Sequence, residues 1–376
     1  GKGEDRLMKV FDTPHLRNCA LVGHGGCGKT TLLAALLYTA GATPQQGSVA
    51  QGSTVTDFDE QEIQRRHSIA TAVAFAEWPA PDRAPLKLNF ADTPGHNLFI
   101  HEAAAALDVV ESVLLVVDAA AGVQVQTAKF WDLAAARNLP VILVLARADH
   151  DHADLPAALA ALRERFGRGV CPVQLPIGEQ RGFQGVLDLV AMSARLYNPA
   201  GNGRARTAAI DDAHDEAARR GHEELVELIA EGDDALMEEF FEKGTIPVEH
   251  LTAGIHEAVR ARRFFPVLIT SGQQNIGADA LLDFLAAYAP HPGEAPAHAG
   301  RETSDAAPAS LFVFKTIADP FAGRLSVFKV RSGRVKNDDT VLNFRNQAAE
   351  KLAHLSVLQG KQPAAVAELH AGDLGA

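Results

Sequence analysis

The sequence predicts an α/β protein: a mostly parallel sheet with helices on both faces, interrupted by an α+β insertion and followed by an antiparallel β-barrel domain. Three observations predict it. Apolar strand-like runs at 19–22, 86–92, 112–117, 141–145 and 266–270 alternate with helical stretches such as 126–137 and 155–166. A glycine-rich turn, Gly23-His24-Gly25-Gly26-Cys27-Gly28-Lys29-Thr30-Thr31, joins the first strand to a helix carrying Leu32, Leu33, Leu36 and Leu37. Beyond a proline- and alanine-rich stretch, residues 311–316, 324–331 and 340–344 alternate in twos, split by turn signals at Asp319-Pro320, Ser332-Gly333 and Asn337-Asp338.

Whole-chain properties bound the function. At 376 residues the chain is long enough for more than one core. No apolar run approaches the roughly 20 residues that span a bilayer, and the N-terminus lacks the apolar core of a secretory signal, so a cytoplasmic protein without a membrane partner is expected. Three scattered cysteines exclude a disulfide framework or a zinc site. Cys27, beside a helix N-terminus, has two readings: a thiol with lowered pKa, or a small side chain filling a tight loop, the second being expected. A net charge of −12 argues against a non-specific nucleic-acid binder, and no DNA partner is expected. The charge is uneven. Thirteen acidic residues face three basic ones over 211–243, and nine basic face four acidic over 311–361. This suits either two solvated faces, the expected reading for any single charge, or one face for basic protein and another for phosphate backbone.

Taken in order, residues 1–17 read as a leader, its first seven polar. In the cradle, Gly23 and Gly28 let the backbone turn tightly and aim N–H groups at phosphate oxygens, while the following helix points its positive end at the same anion. Lys29 adds a charge for the outer phosphates, and the Thr30 hydroxyl suits Mg2+. Gly41 stops the helix, and residues 43–56, rich in Gly, Gln, Ser and Thr, predict a mobile loop. Strand-like alternation resumes at Thr71, Val73 and Phe75. The insertion occupies about 171–263, with strand-like pieces at 173–178 and 185–194 before acidic helices, so the first domain runs 18–290. Residues 291–310 read as a linker and 311–376 as the start of the barrel, the chain ending before such a barrel is expected to close.

A second phosphate element decides the chemistry. The strand at 86–92 ends in Asp92, followed by Thr93-Pro94-Gly95-His96. Asp92 suits Mg2+ through water, the Gly95 N–H suits a terminal phosphate, and the His96 imidazole suits a water placed for attack. Two such elements at strand ends predict nucleoside triphosphate hydrolysis.

These residues, with Leu175-Pro176-Ile177-Gly178, Phe183-Gln184-Gly185-Val186-Leu187-Asp188 and Asp319-Pro320-Phe321-Ala322-Gly323-Arg324-Leu325, resemble bacterial translation elongation factor G over nearly the whole chain from about Asn18. The resemblance implies a GTPase acting on the ribosome, a monomer away from it, that binds GTP, GDP and Mg2+. It implies catalytic roles for His96, Lys29 and Gly95, and contact with nucleotide for residues 23–31 and for Asp92, Thr93, Pro94, Gly95 and His96. Thr30, Ser68 and Asp92 are the implied metal group, Ser68 standing where the family has threonine. Arg66 replaces a family glycine, and Gly26 an aspartate of the cradle. The base-reading element is Ala146-Arg147-Ala148-Asp149 where the family has Asn-Lys-x-Asp. Asp149 keeps the carboxylate that accepts from guanine N1 and N2. Arg147 suits stacking on the base, and Ala146 cannot supply the asparagine's hydrogen bonds, predicting weakened rather than abolished affinity. Ser271-Gly272 match the remaining base-side loop. Asp149-His150-Asp151-His152 superficially suggests a metal site, but adjacent ligands in a loop read better as a solvated turn. The alternatives to an elongation factor are a ribosomal protection or recycling GTPase, and a ribosome-binding protein that uses nucleotide as a conformational latch.

Overall fold

The computed structural model describes residues 8–80, 83–199, 201–244, 246–295, 302–319 and 323–376. The first seven residues of the expected leader, part of the expected linker and Pro320-Phe321-Ala322 lie outside them. A seven-stranded sheet comes first. Its strands are β1 (Leu16–Val22), β2 (Ala72–Ala80), β3 (Arg83–Asp92), β4 (Ser112–Asp118), β5 (Val141–Ala146), β6 (Val170–Pro172) and the later strand Phe265–Ile269. The last pairs with both β5 and β6, giving the order β2-β3-β1-β4-β5-(265–269)-β6, parallel throughout except for β2 on β3.

Every residue of β1, β4 and β5 is buried, because helices cover both faces. In β1, Cys19 and Leu21 point into the core beneath α1 (Lys29–Thr39), while Ala20 and Val22 point into the core beneath α3 (Ile100–Leu107), the short α2 (Glu60–Arg65) lying apart. The α3 face is completed by Phe130 and Ala134 of α4 (Val125–Ala136) and by Ala158, Leu162 and Phe166 of α5 (Leu155–Phe166). Helix α1 has no polar stripe because it lies between the sheet and a final helix, Ala278–Tyr288, whose Leu281, Leu282 and Leu285 share its core.

The insertion departs from its expected outline in two ways. Cys171 and Pro172 still belong to the main sheet, pairing through β6 with Pro266 and Val267. The single piece expected at 185–194 is a hairpin. Within the antiparallel sheet of β7 (Gln174–Ile177), β8 (Gly185–Asp188), β9 (Ser193–Leu196) and β10 (Arg206–Ala208), the Asp188 carboxylate accepts from the Val190 and Ala191 N–H groups at 3.0 and 2.9 Å. That side-chain turn reverses the chain, and Met192 takes φ 50° to complete it. The acidic stretch forms α6 (Asp212–Ala230) and α7 (Asp234–Lys243), capped by Asp211 and Asp233.

The C-terminal unit is antiparallel. Its long hairpin, Ser310–Asp319 with Gly323–Ser332, accepts Leu374–Gly375 as a third strand, and Ala376 exchanges backbone hydrogen bonds with Ser356. Phe344, expected inside a strand, lies in a turn and is 90% exposed.

Residues 8–17, expected as leader, are structural. Phe11 and Thr13 are buried, Met8 bridges to Val366, and β1 already begins at Leu16. They help bind the two units, whose interface is a buried polar network. Lys87 Nζ contacts both carboxylate oxygens of Asp373 at 2.8 and 2.9 Å. Asn89 Nδ2 donates to Asp373 and Asn18, and Asn18 Nδ2 donates to Glu111 and to the Gly372 carbonyl. Lys329 closes the network on Glu111 and the Val109 carbonyl. Lys315 and Arg331 also reach back, to the Thr71 and Asp108 carbonyls, so three cations of the basic 311–361 stretch are spent inside the protein instead of facing phosphate backbone. The network carries two cations and two carboxylates, and breaking one pair strands a buried charge. Asp373→Ala is expected to lower stability by about 3–5 kcal/mol, read from the denaturant midpoint.

Candidate functional site

The site forms at the carboxyl edge of the parallel sheet. After β1 the chain needs glycine. Gly23, Gly26 and Gly28 have φ 151°, 81° and 100°, and a Cβ on Gly23 would lie 2.2 Å from the Val116 carbonyl of β4. Gly28 caps α1, whose first turn therefore opens on the cradle. Lys29 is buried and folds back, donating to the Gly23 and His24 carbonyls at 3.0 Å each. Cys27 is buried too. Burial pushes its thiol up against the lowering effect of Lys29, which fits the loop-filling reading and not that of a reactive thiolate.

The second element closes on the first. The Thr93 N–H and hydroxyl both bond the Leu21 carbonyl, at 3.3 and 2.7 Å, pinning the end of β3 to β1. Thr93 and Pro94, expected at the ligand, are buried, like Asp92 before them and Gly95 after them. Gly95 sits so near the cradle that a Cβ would lie 2.6 Å from Gly23 O, Gly25 N and Lys29 Nζ. The His96 ring rests against Gly25, where a Cβ would come within 2.9 Å of it, and meets the His67 ring edge-on at 4.8 Å between centroids. Desolvation, then the charges of His67, Lys29 and His24, lower the His96 pKa and favour a neutral imidazole able to accept a proton.

Beside them lies an oxygen-rich corner. Thr30 Oγ1 is 3.2 Å from Ser68 Oγ, which donates to Asp57 Oδ1 at 2.6 Å, and Thr56 Oγ1 donates to Asp92 Oδ2 at 2.7 Å. The other oxygens, Asp57 Oδ2 and Asp92 Oδ1, are buried without hydrogen-bond partners. Burial, then the charge of Asp57, pushes the Asp92 carboxyl up to about 7, and burial raises Asp57 as well. Two desolvated carboxylates with orphaned oxygens among hydroxyls suit a hard divalent cation. Asp57 and Thr56 escaped the sequence reading. They fall in or beside the stretch expected to be mobile, which has no helix or strand but buries Thr54 and Thr56, with Asp57 buried next to them. Glu62 escaped it too. This buried carboxylate accepts from the Ile69 and Ala70 N–H groups at 2.9 and 3.2 Å and fixes the backbone after Ser68, and its signal was the Asp59-x-x-Glu62 capping box opening α2.

Two clefts meet on the cradle. The phosphate-side cleft, about 220 Å³, is lined by the cradle, Asp57, Arg66, His67, Ser68, Gly95 and His96. The other, about 140 Å³, is lined by Ala146, Arg147, Asp149, His150, Gly272 and Gln273, and shares Gly26, Gly28 and Thr31 with the first. Among the described residues the Asp149 carboxylate has no partner, leaving its oxygens free to accept. Arg147, at φ 61°, lays its stem over Gly28, but its guanidinium is held by Asp118 at 2.6 Å, so only the stem is free to cover a base. Ser271 is buried and spends its hydroxyl on the Gln274 N–H, while Gly272 permits close approach to the Leu32 backbone.

The family described as Elongation factor Tu GTP binding domain matches residues 14–291, and that described as Elongation factor G domain 2 matches residues 308–376. The chain belongs to the elongation factor G-like translational GTPases. A crystal structure from Thermus thermophilus is similar over 96% of this chain and 52% of its own, at 33% identity and a TM-score of 0.85. This GTPase chain therefore spans about half the length of that relative. Both clefts lie within the residues matched by the GTP binding domain family. Among the described residues no group of three or more His, Cys, Asp or Glu side chains is gathered as a metal site, and Asp151 is ion-paired with Arg181 on the surface.

Proposed function

We propose that this translational GTPase binds GTP with Mg2+, hydrolyses it to GDP and phosphate in response to the ribosome, and serves an elongation factor G-like step in the cytoplasm. The observation that carries the reading is the contact of the second phosphate element with the first: Gly95 against Lys29 and the cradle, with the His96 ring against Gly25. Cradle N–H groups and Lys29 bind the phosphates. His96 accepts a hydrogen bond from water and holds it for in-line attack on the terminal phosphorus. Asp149 accepts from the guanine N1 and N2 groups, which adenine lacks. Thr30, Ser68, Asp57 and Asp92 would hold the metal, which when bound neutralises phosphate charge. Ala146 forgoes hydrogen bonds worth about 0.5–1.5 kcal/mol, so nucleotide affinity is expected to be moderate.

The test is nucleotide binding and turnover with and without ribosomes. GDP is expected to bind at least about tenfold tighter than ADP, and ribosomes to accelerate GTP turnover. Equal affinity for the two nucleotides, or no acceleration, overturns the reading.

A further inference from the structure

The phosphate-side cleft contains one charged group to which no role has been assigned. Arg66 ends α2 in the left-handed conformation, φ 56°, a position where glycine avoids a steric penalty that arginine bears. Its backbone is fixed from both sides. The Arg66 N–H and the His67 N–H, the latter at 3.3 Å, both reach the Glu62 carbonyl, and Glu62's carboxylate holds residues 69 and 70. The strained residue is therefore clamped between a helix end and Ser68. Among the described residues its guanidinium has no ion-pair or hydrogen-bond partner, although the Asp57 carboxylate lines the same cleft. Lys29, His67 and His96 line it as well. A guanidinium without a partner that lines one cleft with a lysine and a helix N-terminus gains most when a multiply charged anion enters. Strain kept at a ligand cleft points to use there.

We propose that Arg66 is a catalytic residue that contacts the terminal phosphate of GTP and stabilises charge in hydrolysis, supplied by the chain to itself. The inference rests on the GTPase reading above. Water adds to the terminal phosphorus, the bond to the bridging oxygen breaks with its electron pair leaving on GDP, and the water proton ends on the released phosphate. The guanidinium transfers nothing. It neutralises charge growing on the bridging and outer oxygens.

Glycine separates charge from backbone geometry, because Arg66→Gly relieves the left-handed strain while deleting the guanidinium. Ribosome-free, single-turnover hydrolysis of GTP in Mg2+ is measured for the wild type, Arg66→Gly and Arg66→Lys, with GDP affinity for each. Arg66→Gly is expected to slow hydrolysis roughly 100-fold with GDP affinity within about threefold, and Arg66→Lys to recover part of the rate. Wild-type hydrolysis by Arg66→Gly, or a rate loss matched by lost GDP affinity, overturns the proposal and leaves the GTPase reading standing. A wild-type chain that binds no GTP overturns both.

Discussion

His96→Ala is expected to slow GTP hydrolysis by roughly 10²–10⁴-fold while leaving GDP affinity within about threefold. The imidazole lies on the outer side of the cleft, against Gly25 and the His67 edge, and among the described residues it donates to and accepts from no other group. It is exposed, so truncation opens no cavity in the core. What disappears is the acceptor that holds the attacking water, an interaction made when hydrolysis occurs and not when nucleotide is merely bound. Single-turnover hydrolysis beside equilibrium titration with GDP separates the two effects. Parallel loss of both would make His96 a structural residue of the cradle. The neighbours sharpen the expectation: a side chain at position 25 would collide with the ring, so Gly25 is part of what lets His96 approach the phosphates.

The parallel sheet was legible because its strands are buried on both faces and read as continuous apolar runs, with β1, β4 and β5 wholly buried. The cradle and Asp92 were legible because glycine requirements and strand ends are local facts. What failed was non-local or side-chain-driven. Asp188 turning β8 into β9 is a two-residue side-chain effect inside an apparently continuous apolar stretch. Thr93 and Pro94 share a motif with Gly95 and His96, yet both are buried, and the Thr93 hydroxyl is bonded to the Leu21 carbonyl of β1. The Lys87–Asp373 pair joins residues 286 positions apart, and no local periodicity announces it. Asp57 was hidden for a different reason: it follows a polar segment without helix or strand, where composition suggested mobility and burial decides otherwise.

Two buried lysines illustrate how a similar burial serves opposite ends. Lys87 is neutralised within the protein by Asp373, whereas among the described residues Lys29 bonds only the Gly23 and His24 carbonyls and the Cys27 sulfur, the last at 3.8 Å. Carbonyls satisfy the ammonium's donors without cancelling its charge, so Lys29 retains a demand for an anion that the nucleotide phosphates meet. Lys29→Met, close in shape and without charge, is therefore expected to lower GTP and GDP affinity about 100- to 1000-fold, or roughly 3–4 kcal/mol, the scale of one or two charge-assisted hydrogen bonds. The nucleotide-free protein is expected to lose little stability, because the desolvated cation that burial disfavours is removed along with its two carbonyl contacts. Asp373→Ala gives the converse, a destabilised chain whose remaining folded fraction keeps its nucleotide affinity. Calorimetric titration with GDP and thermal melts without nucleotide, run on both variants, test the contrast. Near-normal GDP affinity in Lys29→Met would mean that the backbone cradle and the helix N-terminus hold the phosphates unaided.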